Sequence, residues 1–198
     1  MSYVIYSIKG GVGKTTLSVQ ISQMLEYTYV TNDPHSSAHN LLPEEKGFLV
    51  SKDEYEEIPY DDNVVYDFGG FIDPRINDII KQSNKVLIPT LTSIVDLQAT
   101  LATLKDVIEI NKNIIILINR AKNNNKANEL KDYLEEEIKK EYKGVKIPII
   151  FVRESSVLED SLFDCEYVEN KAGNNRFKRH IYRNAIEDLN NIKNILKD

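Results

Sequence analysis

The sequence has little cysteine and no long apolar run, and each shortage excludes a class of protein. Its single cysteine, Cys165, cannot form a disulfide framework within the chain or a thiolate metal cluster. No apolar stretch approaches the roughly 20 residues of a membrane-spanning helix, and the first residues carry no basic segment typical of a secretion signal. We therefore expect an unprocessed cytoplasmic protein without stable membrane insertion.

Positive charge is also scarce overall, but it is concentrated in one segment. The 198 residues carry a net charge of −6, which argues against a surface that is basic throughout. Acidic residues gather between residues 53 and 62, whereas residues 171–183 contain cations with no acid between them. This C-terminal segment is the part of the chain that could face a polyanion. Its cations are Lys171, Arg176, Lys178, Arg179 and Arg183.

Length and hydrophobic patterning predict a single α/β domain over residues 1–198. Short β-rich runs alternate with segments of helical period, which is typical of a three-layer fold with a mainly parallel twisted sheet and helices on both faces. The predicted strands are Tyr3–Ile8, Thr28–Asn32, Asn63–Phe68, Lys85–Pro89, Asn113–Asn119 and Lys146–Val152. The predicted helices are Lys14–Tyr27, Asp73–Ser83, Ile94–Ile110, Lys126–Tyr142, Arg176–Leu196 and a short one near Ser156–Phe163.

Two of these helices carry apolar stripes that we expect to pack against the sheet rather than against a membrane or a partner. Ser93 and Asp96 have the spacing of a capping box at the start of the first of them. The first stripe contains Ile94, Leu97, Leu101, Leu104 and Ile108. The second contains Phe177, Ile181, Ala185, Ile186, Leu189, Ile192 and Leu196.

The most specific pattern in the chain follows the first predicted strand. Residues 7–16 are S-I-K-G-G-V-G-K-T-T, and such glycines let backbone N–H groups turn towards an anion at the start of a helix. The general phosphate-binding pattern G-x-x-x-x-G-K-[ST] requires glycine where Ile8 stands. The segment instead fits the variant K-G-G-x-G-K-[ST], in which Lys9 is an additional lysine before the glycines.

This variant loop resembles that of the ParA/MinD family of ATPases, and the chain is most similar to the short ParA-type DNA-partition members. The resemblance implies a P-loop NTPase fold that binds ATP and Mg²⁺. It implies that Lys14 holds the β- and γ-phosphates, that Thr15 binds Mg²⁺ and that Thr16 touches the α-phosphate. Lys9 would reach the partner's phosphates across the interface of an ATP-bound homodimer. The remaining phosphate contacts would come from the backbone of Gly10, Gly11, Val12 and Gly13.

The end of the third predicted strand supplies a candidate magnesium group. Phosphoryl-transfer sites commonly place an aspartate at the end of an apolar strand, where it senses the metal. Asp67 has this position, and Gly70 follows it with a backbone N–H that could meet the γ-phosphate. The alternative for Asp67 is a simple helix cap.

The segment after the second predicted strand resembles the family's D-x-D-P-Q switch. The resemblance assigns Asp33 to orienting the attacking water, although Asp33-Pro34 can also be a simple turn. Thr31 stands where the first aspartate is expected and His35 where glutamine is expected. These two departures lead us to expect slow hydrolysis.

Two further regions are candidates for binding the base and DNA. Asn119 ends a buried predicted strand at the place where many relatives read adenine, with residues 153–155 flanking the base by the same analogy. On the last helix Arg176, Arg179 and Arg183 share one face, with Lys178 beside it. The family resemblance makes this row a candidate site for DNA without sequence preference, and a solvated helix face is the alternative.

Together these features predict an ATPase whose ATP-bound dimer binds DNA and positions a plasmid, a chromosome region or a protein cargo. A separate ParB-like or centromere-binding adaptor would stimulate hydrolysis, and the protein would associate with the nucleoid. The alternatives are a weakly hydrolysing, nucleotide-gated scaffold and a MinD-like ATPase on a membrane surface. Since the chain begins at its first predicted strand, we expect no additional N-terminal DNA-reading domain.

Overall fold

A sheet of parallel strands lies at the centre of the computed structural model, which describes residues 1–51, 54, 61–69, 76–122 and 125–197. In chain order its strands are β1 (Ser2–Ser7), β2 (Thr28–Thr31), β3 (Gly47–Leu49), β4 (Val64–Gly69), β5 (Lys85–Thr90), β6 (Ile114–Ala121) and β7 (Ile149–Arg153). Side by side they have the order β3-β2-β4-β1-β5-β6-β7, and all pairings are parallel. The predicted α/β class is confirmed.

Helices cover both faces of the sheet. They are α1 (Lys14–Leu25), α2 (Ala38–Leu41), α3 (Asn77–Gln82), α4 (Ile94–Ile108), α5 (Asn125–Glu141), α6 (Ser156–Asp160), α7 (Val168–Ala172) and α8 (Arg176–Lys197). One hydrophobic cluster joins the sheet to α3, α4 and α5, and a second joins its other face to α1, α6, α7 and α8. None of the helices in the described ranges is apolar over a membrane-spanning length.

Alternation along β4 decides which side of the sheet each of its residues faces. Successive side chains of a strand point to opposite faces. Tyr66 and Phe68 belong to the cluster with α4 and α5, whereas Val65 belongs to the cluster with α1. Asp67 therefore lies on the α1 side, beside the first turn of that helix.

The six predicted strands and the six predicted helices are present, with shifted ends. The last predicted strand begins later than expected, at Ile149 directly after Pro148, and residues 73–75 of one predicted helix lie outside the described part of the chain. The sequence patterns missed β3, α2 and α7. These elements have only three to five residues each, which is too short for a helical or strand period to repeat.

The expectation that both apolar stripes are core throughout is wrong at their first residues. Ile94 at the start of α4 is 76% exposed, and Phe177 and Ile181 near the start of α8 are 73% and 51% exposed. Their stripes become buried only further along, at Leu104 in α4 and at Ala185 in α8.

The direction of α8 explains the exposure of its first turns. At its C-terminal end, the carbonyl oxygen of Leu196 accepts a hydrogen bond from Tyr3 Oη near the amino end of β1, at 3.1 Å. In its middle, Asn184 and Asp188 bind Arg153 at the carboxyl end of β7. The helix therefore runs antiparallel to the strands, and residues 176–183 project past the carboxyl edge of the sheet.

Two substitutions on α8 should separate its buried part from its projecting part. Leu189→Ala is expected to lower the free energy of unfolding by about 2–5 kcal/mol, because Leu189 is fully buried and alanine would leave a cavity. Phe177→Ala should change it by no more than about 0.5 kcal/mol, because Phe177 already faces solvent. Urea denaturation followed by circular dichroism measures both, and equal losses would contradict the orientation of α8.

Candidate nucleotide site

A cavity of about 540 Å³ opens at the carboxyl edge of the sheet, in front of the first turn of α1. The loop between β1 and α1, residues 8–13, forms one wall, and we call it the phosphate loop. Opposite it lie Asn32, Asp33 and Pro34 after β2, Asp67 and Gly69 of β4, and Arg120 near the end of β6. Ligands of open parallel sheets bind at this edge, beyond the carboxyl ends of the strands.

Glycine is required in the phosphate loop at two positions with positive φ. Gly11 has φ 77° and Gly13 has φ 90°, a region that residues with a Cβ rarely adopt. At Gly13 a Cβ would also come within 2.2 Å of Asn119 Nδ2. That Asn119 amide donates to the Val12 carbonyl oxygen at 2.9 Å, so the strand-end asparagine supports the loop from behind.

Lys14 places its amine between the loop and two carboxylates. Its Nζ donates to the carbonyl oxygen of Lys9 at 3.0 Å. Burial lowers the pKa of the Lys14 amine, and the nearby carboxylates of Asp67 and Asp33 oppose that shift. A Cβ at Gly69 would lie 2.9 Å from Lys14 Cε, so the lysine fits closely against the end of β4.

Asp67 is a buried carboxylate with one oxygen engaged and one free. Tyr29 Oη donates to its Oδ2 at 2.8 Å, whereas within the described part of the chain its Oδ1 has no hydrogen-bond partner. Burial raises the pKa of Asp67, and the hydroxyls of Tyr29 and Thr15 and the amine of Lys14 act in the opposite direction. A buried carboxylate oxygen without a partner is costly to the fold unless a ligand completes it.

Asp67 and Thr15 fit the requirements of Mg²⁺. The metal prefers hard oxygen ligands and is usually held by one or two protein groups together with phosphate oxygens and water. The free Oδ1 of Asp67 and the hydroxyl of Thr15 are both oxygen donors on the α1 side of the cavity.

The segment after β2 is tied to β4 by hydrogen bonds. Thr31 Oγ1 donates to the carbonyl oxygen of Asp67 at 3.2 Å and accepts from the Asp33 N–H at 3.2 Å. Asn32 Oδ1 accepts from the Gly69 N–H at 3.1 Å. The exposed Asp33 is held at the cavity rim by the His35 N–H, which donates to its Oδ1 at 2.9 Å.

Lys9 is the one lysine of the loop motif whose side chain does not line the cavity. Its Nζ lies 4.0 Å from Asp96 Oδ1, in the first turn of α4. Asp96 is buried and completes the predicted capping box, since its N–H donates to Ser93 Oγ at 3.2 Å and the Ser93 hydroxyl donates to its Oδ2. Ile94 and Val95 beside it are 76% and 59% exposed.

Residues 3–162 match the family model of the CobQ/CobB/MinD/ParA nucleotide binding domain. The chain belongs to this family of nucleotide-binding ATPases. A search of curated proteins found no match.

Solved structures of this ATPase family share the fold. A plasmid partition protein of Borrelia burgdorferi bound to AMPPNP is 15% identical, with a TM-score of 0.62 over 95% of this chain and 97% of that one. McdA of Cyanothece is 16% identical, with a TM-score of 0.62 and coverages of 95% and 98%. MinD of Pyrococcus horikoshii, complexed with Mg-ADP, is 15% identical, with a TM-score of 0.58 and coverages of 99% for both chains.

The structure brings together most of the residues that the sequence singled out. The cavity is lined by Gly10, Gly11, Gly13, Lys14, Thr15, Thr16, Asp33 and Asp67. Asn119 lies behind the loop and binds the carbonyl oxygen of Val12, whereas the side chain of Lys9 lies near Asp96 and not in the cavity. Gly70 lies outside the described residues. The row of Arg176, Lys178, Arg179 and Arg183 is separate from the cavity, on the projecting turns of α8.

Two residues expected near the nucleotide base have other partners in this structure. Asn119 uses Nδ2 on Val12, and its Oδ1 accepts from the Arg120 N–H at 2.9 Å. Arg153 is bound to Asp188 and Glu187 on α8, at 2.6 and 2.9 Å. The predicted contact of Asn119 with adenine stays a prediction, and it would use the second N–H of the amide or the remaining lone pair of Oδ1.

Sequence reasoning missed four residues that shape the site. Asn32 directly precedes Asp33 and Arg120 directly follows Asn119, so both could have been found as chain neighbours of predicted site residues. Tyr29 and Asp96 had no such signal. Their roles depend on the pairing of β2 with β4 and on the proximity of α4 to the loop, and neither can be deduced from spacing along the chain.

Asp67→Asn should stabilise the nucleotide-free protein while removing the effect of magnesium on ATP binding. At neutral pH the variant's free energy of unfolding should exceed that of the wild type by about 1–3 kcal/mol, because a buried charge is removed. A carboxyl whose pKa is raised on folding destabilises the fold above that pKa, so the difference should shrink as the pH falls through it.

Urea denaturation across pH 4–8 and calorimetric ATP titrations with and without Mg²⁺ measure the two effects. Asp132→Asn, at an exposed position on α5, is the matched control and should change neither. An Asp67→Asn protein that is less stable than the wild type at neutral pH, or whose ATP affinity still responds to Mg²⁺, would contradict this account.

Proposed function

We propose that the chain hydrolyses ATP as a face-to-face homodimer in which each protomer completes the other's site. The observation that carries the proposal is the position of Lys9. Its side chain stands beside the phosphate loop but outside its own cavity, on a surface with exposed Ile94 and Val95. A cation so placed can meet phosphates that approach from a second molecule.

Within one site, the phosphate loop and Lys14 hold the triphosphate, and Thr15 and Asp67 would hold Mg²⁺. The bound metal would neutralise negative charge on the phosphates. Asp33, at the rim, orients a water whose oxygen bonds to the γ-phosphorus. The bond from that phosphorus to the oxygen bridging it to the β-phosphorus breaks, which gives ADP and inorganic phosphate. The water proton leaves through Asp33 to solvent or to the released phosphate.

Dimerisation exchanges one partner of Lys9 for another. In the single protomer the amine lies near the buried carboxylate of Asp96, at 4.0 Å. In the dimer it turns to the partner's phosphates, whose charge is larger and which bind amines through charge-assisted hydrogen bonds. Burial of Ile94 and Val95 adds at most about 1.5–3 kcal/mol for each side chain, because both are already partly covered.

The cations of α8 support a role in non-specific DNA binding. Residues 176–183 project past the carboxyl edge of the sheet, the same edge at which the nucleotide cavity opens. Arg176, Lys178, Arg179 and Arg183 are exposed there, although Arg179 also donates to the Gly173 carbonyl oxygen. A dimer would double this row of phosphate contacts and strengthen binding through multivalency. A DNA-bound dimer released by an adaptor that stimulates hydrolysis would position a cargo on the nucleoid.

A second candidate is a nucleotide-gated scaffold that hydrolyses very slowly. Thr31 favours it, because Thr31 stands where the D-x-D-P-Q switch of the family has its first aspartate. The buried Thr31 hydroxyl is already hydrogen-bonded to the backbone of Asp67 and Asp33. Both candidates require the ATP dimer, and they differ in turnover. ATP hydrolysis that is abolished by Asp33→Ala and stimulated by a partner would exclude the scaffold.

Lys9→Ala is expected to bind ATP with nearly wild-type affinity and to remain monomeric. The cavity keeps Lys14 and the glycines, so only the contact with the second molecule is lost. Light scattering after size exclusion, with ATP and Mg²⁺, measures the mass, and a fluorescent ATP analogue measures binding. Lys105→Ala removes an exposed cation elsewhere on α4 and should dimerise normally. ATP-dependent dimers of Lys9→Ala would refute the role of Lys9.

Alanine at Arg176, Arg179 and Arg183 should weaken DNA binding without affecting ATP-dependent dimerisation. Each lost phosphate contact should lower the slope of log affinity against log salt by about 0.9. Fluorescence anisotropy with duplexes of two unrelated sequences, with ATP or ADP, measures the slope.

The matched control carries alanine at three exposed lysines elsewhere, Lys105, Lys112 and Lys126, and so loses the same amount of positive charge. Equal slopes for the two triple variants would contradict a specific role of the α8 row. Retention of the wild type on anionic vesicles rather than on DNA would favour the membrane-surface alternative.

A further inference from the structure

Strand β7 forms an edge of the described sheet, and Ile149, Ile150 and Phe151 on it are only partly covered. It pairs with β6 alone, in the register Ile116 with Ile149 and Ile118 with Phe151. The β6 residues of these pairs are fully buried, whereas Ile149 and Phe151 are half-buried. An apolar edge strand of this kind can pair with another chain unless something covers it.

The hydrogen bonds of β7 show which backbone groups face outward. Pro148 O accepts from Ile116 N at 2.9 Å, and Glu154 N donates to Ala121 O at 3.1 Å, so these two residues face β6. Because backbone direction alternates along a parallel strand, the N–H and C=O groups of residues 149, 151 and 153 point away from β6.

A hydrogen bond to Asp188 of α8 confirms that the Arg153 N–H points away from β6. It also closes the edge of β7 at its carboxyl end. Asp188 Oδ2 accepts this hydrogen bond from the backbone N–H of Arg153 at 2.8 Å, in the place that a further strand would occupy. Among the described residues, no such partner serves the outward backbone groups of Ile149 and Phe151. The free edge is therefore short and centred on these two residues.

Two cavities adjoin along this edge and form a groove between α5 and α8. Their volumes are about 1010 and 450 Å³, and they share Ile149, which faces α5, and Ile150 and Ile195, which lie on the α8 side. The α8 wall presents the side-chain amides of Asn191 and Asn194. We call this space the β7 groove. It lies beside β7 with a helix on each side.

The charge of the β7 groove disfavours a second copy of the chain as its occupant. Its acids are already paired, because Asp188 and Glu187 bind Arg153 and Glu135 binds Lys131. Lys139, Lys146 and Arg183 also line it, and in the described ranges none of the three has a carboxylate within salt-bridge distance. Two such grooves would repel each other, whereas an acidic partner would complete them.

We infer that the β7 groove binds an extended acidic segment of a partner protein, which adds a strand to the sheet at β7. Its backbone pairs with the outward groups of Ile149 and Phe151. Its apolar residues, at alternate positions, face α8 and contact Ile150 and Ile195, and its carboxylates, on the opposite face, meet Lys139 and Lys146. Recognition by strand addition takes affinity from the backbone and specificity from alternate side chains. The inference does not depend on ATP or on DNA binding.

A labelled heptapeptide that alternates glutamate with valine or isoleucine tests the inference by fluorescence anisotropy on the full chain. It should bind the wild type, and the same peptide N-methylated at alternate residues on its pairing edge should bind at least about tenfold more weakly. A peptide with lysine in place of glutamate should bind the wild type similarly weakly. The protein with both Lys139→Glu and Lys146→Glu should bind the acidic peptide similarly weakly. Equal binding of the N-methylated peptide, or none of the acidic peptide, would overturn the inference.

A matched pair of variants at Phe151 tests the backbone contact from the protein side. Phe151→Pro removes an outward N–H that takes no part in the hydrogen bonds with β6. An edge strand tolerates proline at such a position. Phe151→Ala removes the same ring, including its contact with Lys131, but keeps the N–H. The proline variant should bind the acidic peptide at least about tenfold more weakly than the alanine variant.

Equal affinities of the two variants would exclude strand addition. Nucleotide-free self-association of the wild type that Phe151→Pro abolishes would overturn the choice of an acidic partner in favour of a second copy. If the proline variant fails to fold, the N-methylated peptide decides the matter with the wild type alone.

Discussion

The electrostatic interaction between the buried carboxylate of Asp67 and the amine of Lys14, at the start of α1, is the interaction on which the nucleotide site depends. Burial acts against both charges, raising the pKa of the acid and lowering that of the amine, and each opposes the shift of the other. Tyr29 holds one oxygen of Asp67, so the other stays directed to the α1 side. The nucleotide-free site therefore holds two buried charges at a cost in free energy. A phosphate beside Lys14 and a metal ion beside Asp67 would lower that cost.

The main parts of this fold could be predicted because each has a local signal. The phosphate loop is contiguous, and the strands of a parallel sheet appear as separate apolar runs. The exposed starts of α4 and α8 could not be predicted, because the stripes of Ile94 and Phe177 continue at the same spacing past the edge of the sheet. The point at which a helix extends beyond the sheet depends on tertiary packing and not on the local sequence. The same holds for Tyr29 and Asp96, which reach the site only through strand and helix packing.

Several exposed features lie at the carboxyl edge of the sheet. The cavity, Lys9 with its apolar neighbours, and the projecting turns of α8 all lie there. This common placement supports our proposal that one nucleotide governs both dimerisation and DNA binding, since a second protomer approaching the cavity would also approach the cations. The β7 groove lies instead along the outer strand, so a partner bound there would not compete with nucleotide.

The central claim is that Lys9 acts in the partner's site while Asp33 acts in its own, and mixing two inactive variants tests it most directly. Lys9→Ala and Asp33→Ala should each lack ATPase activity alone. An equimolar mixture should recover part of the wild-type rate, about a quarter in the limit of random pairing, because the Asp33→Ala protomer still supplies Lys9 to its partner and each mixed dimer has one complete site. A mixture that forms mixed dimers with ATP and is still as inactive as its components would contradict the claim, since it would mean that Lys9 and Asp33 serve the same site.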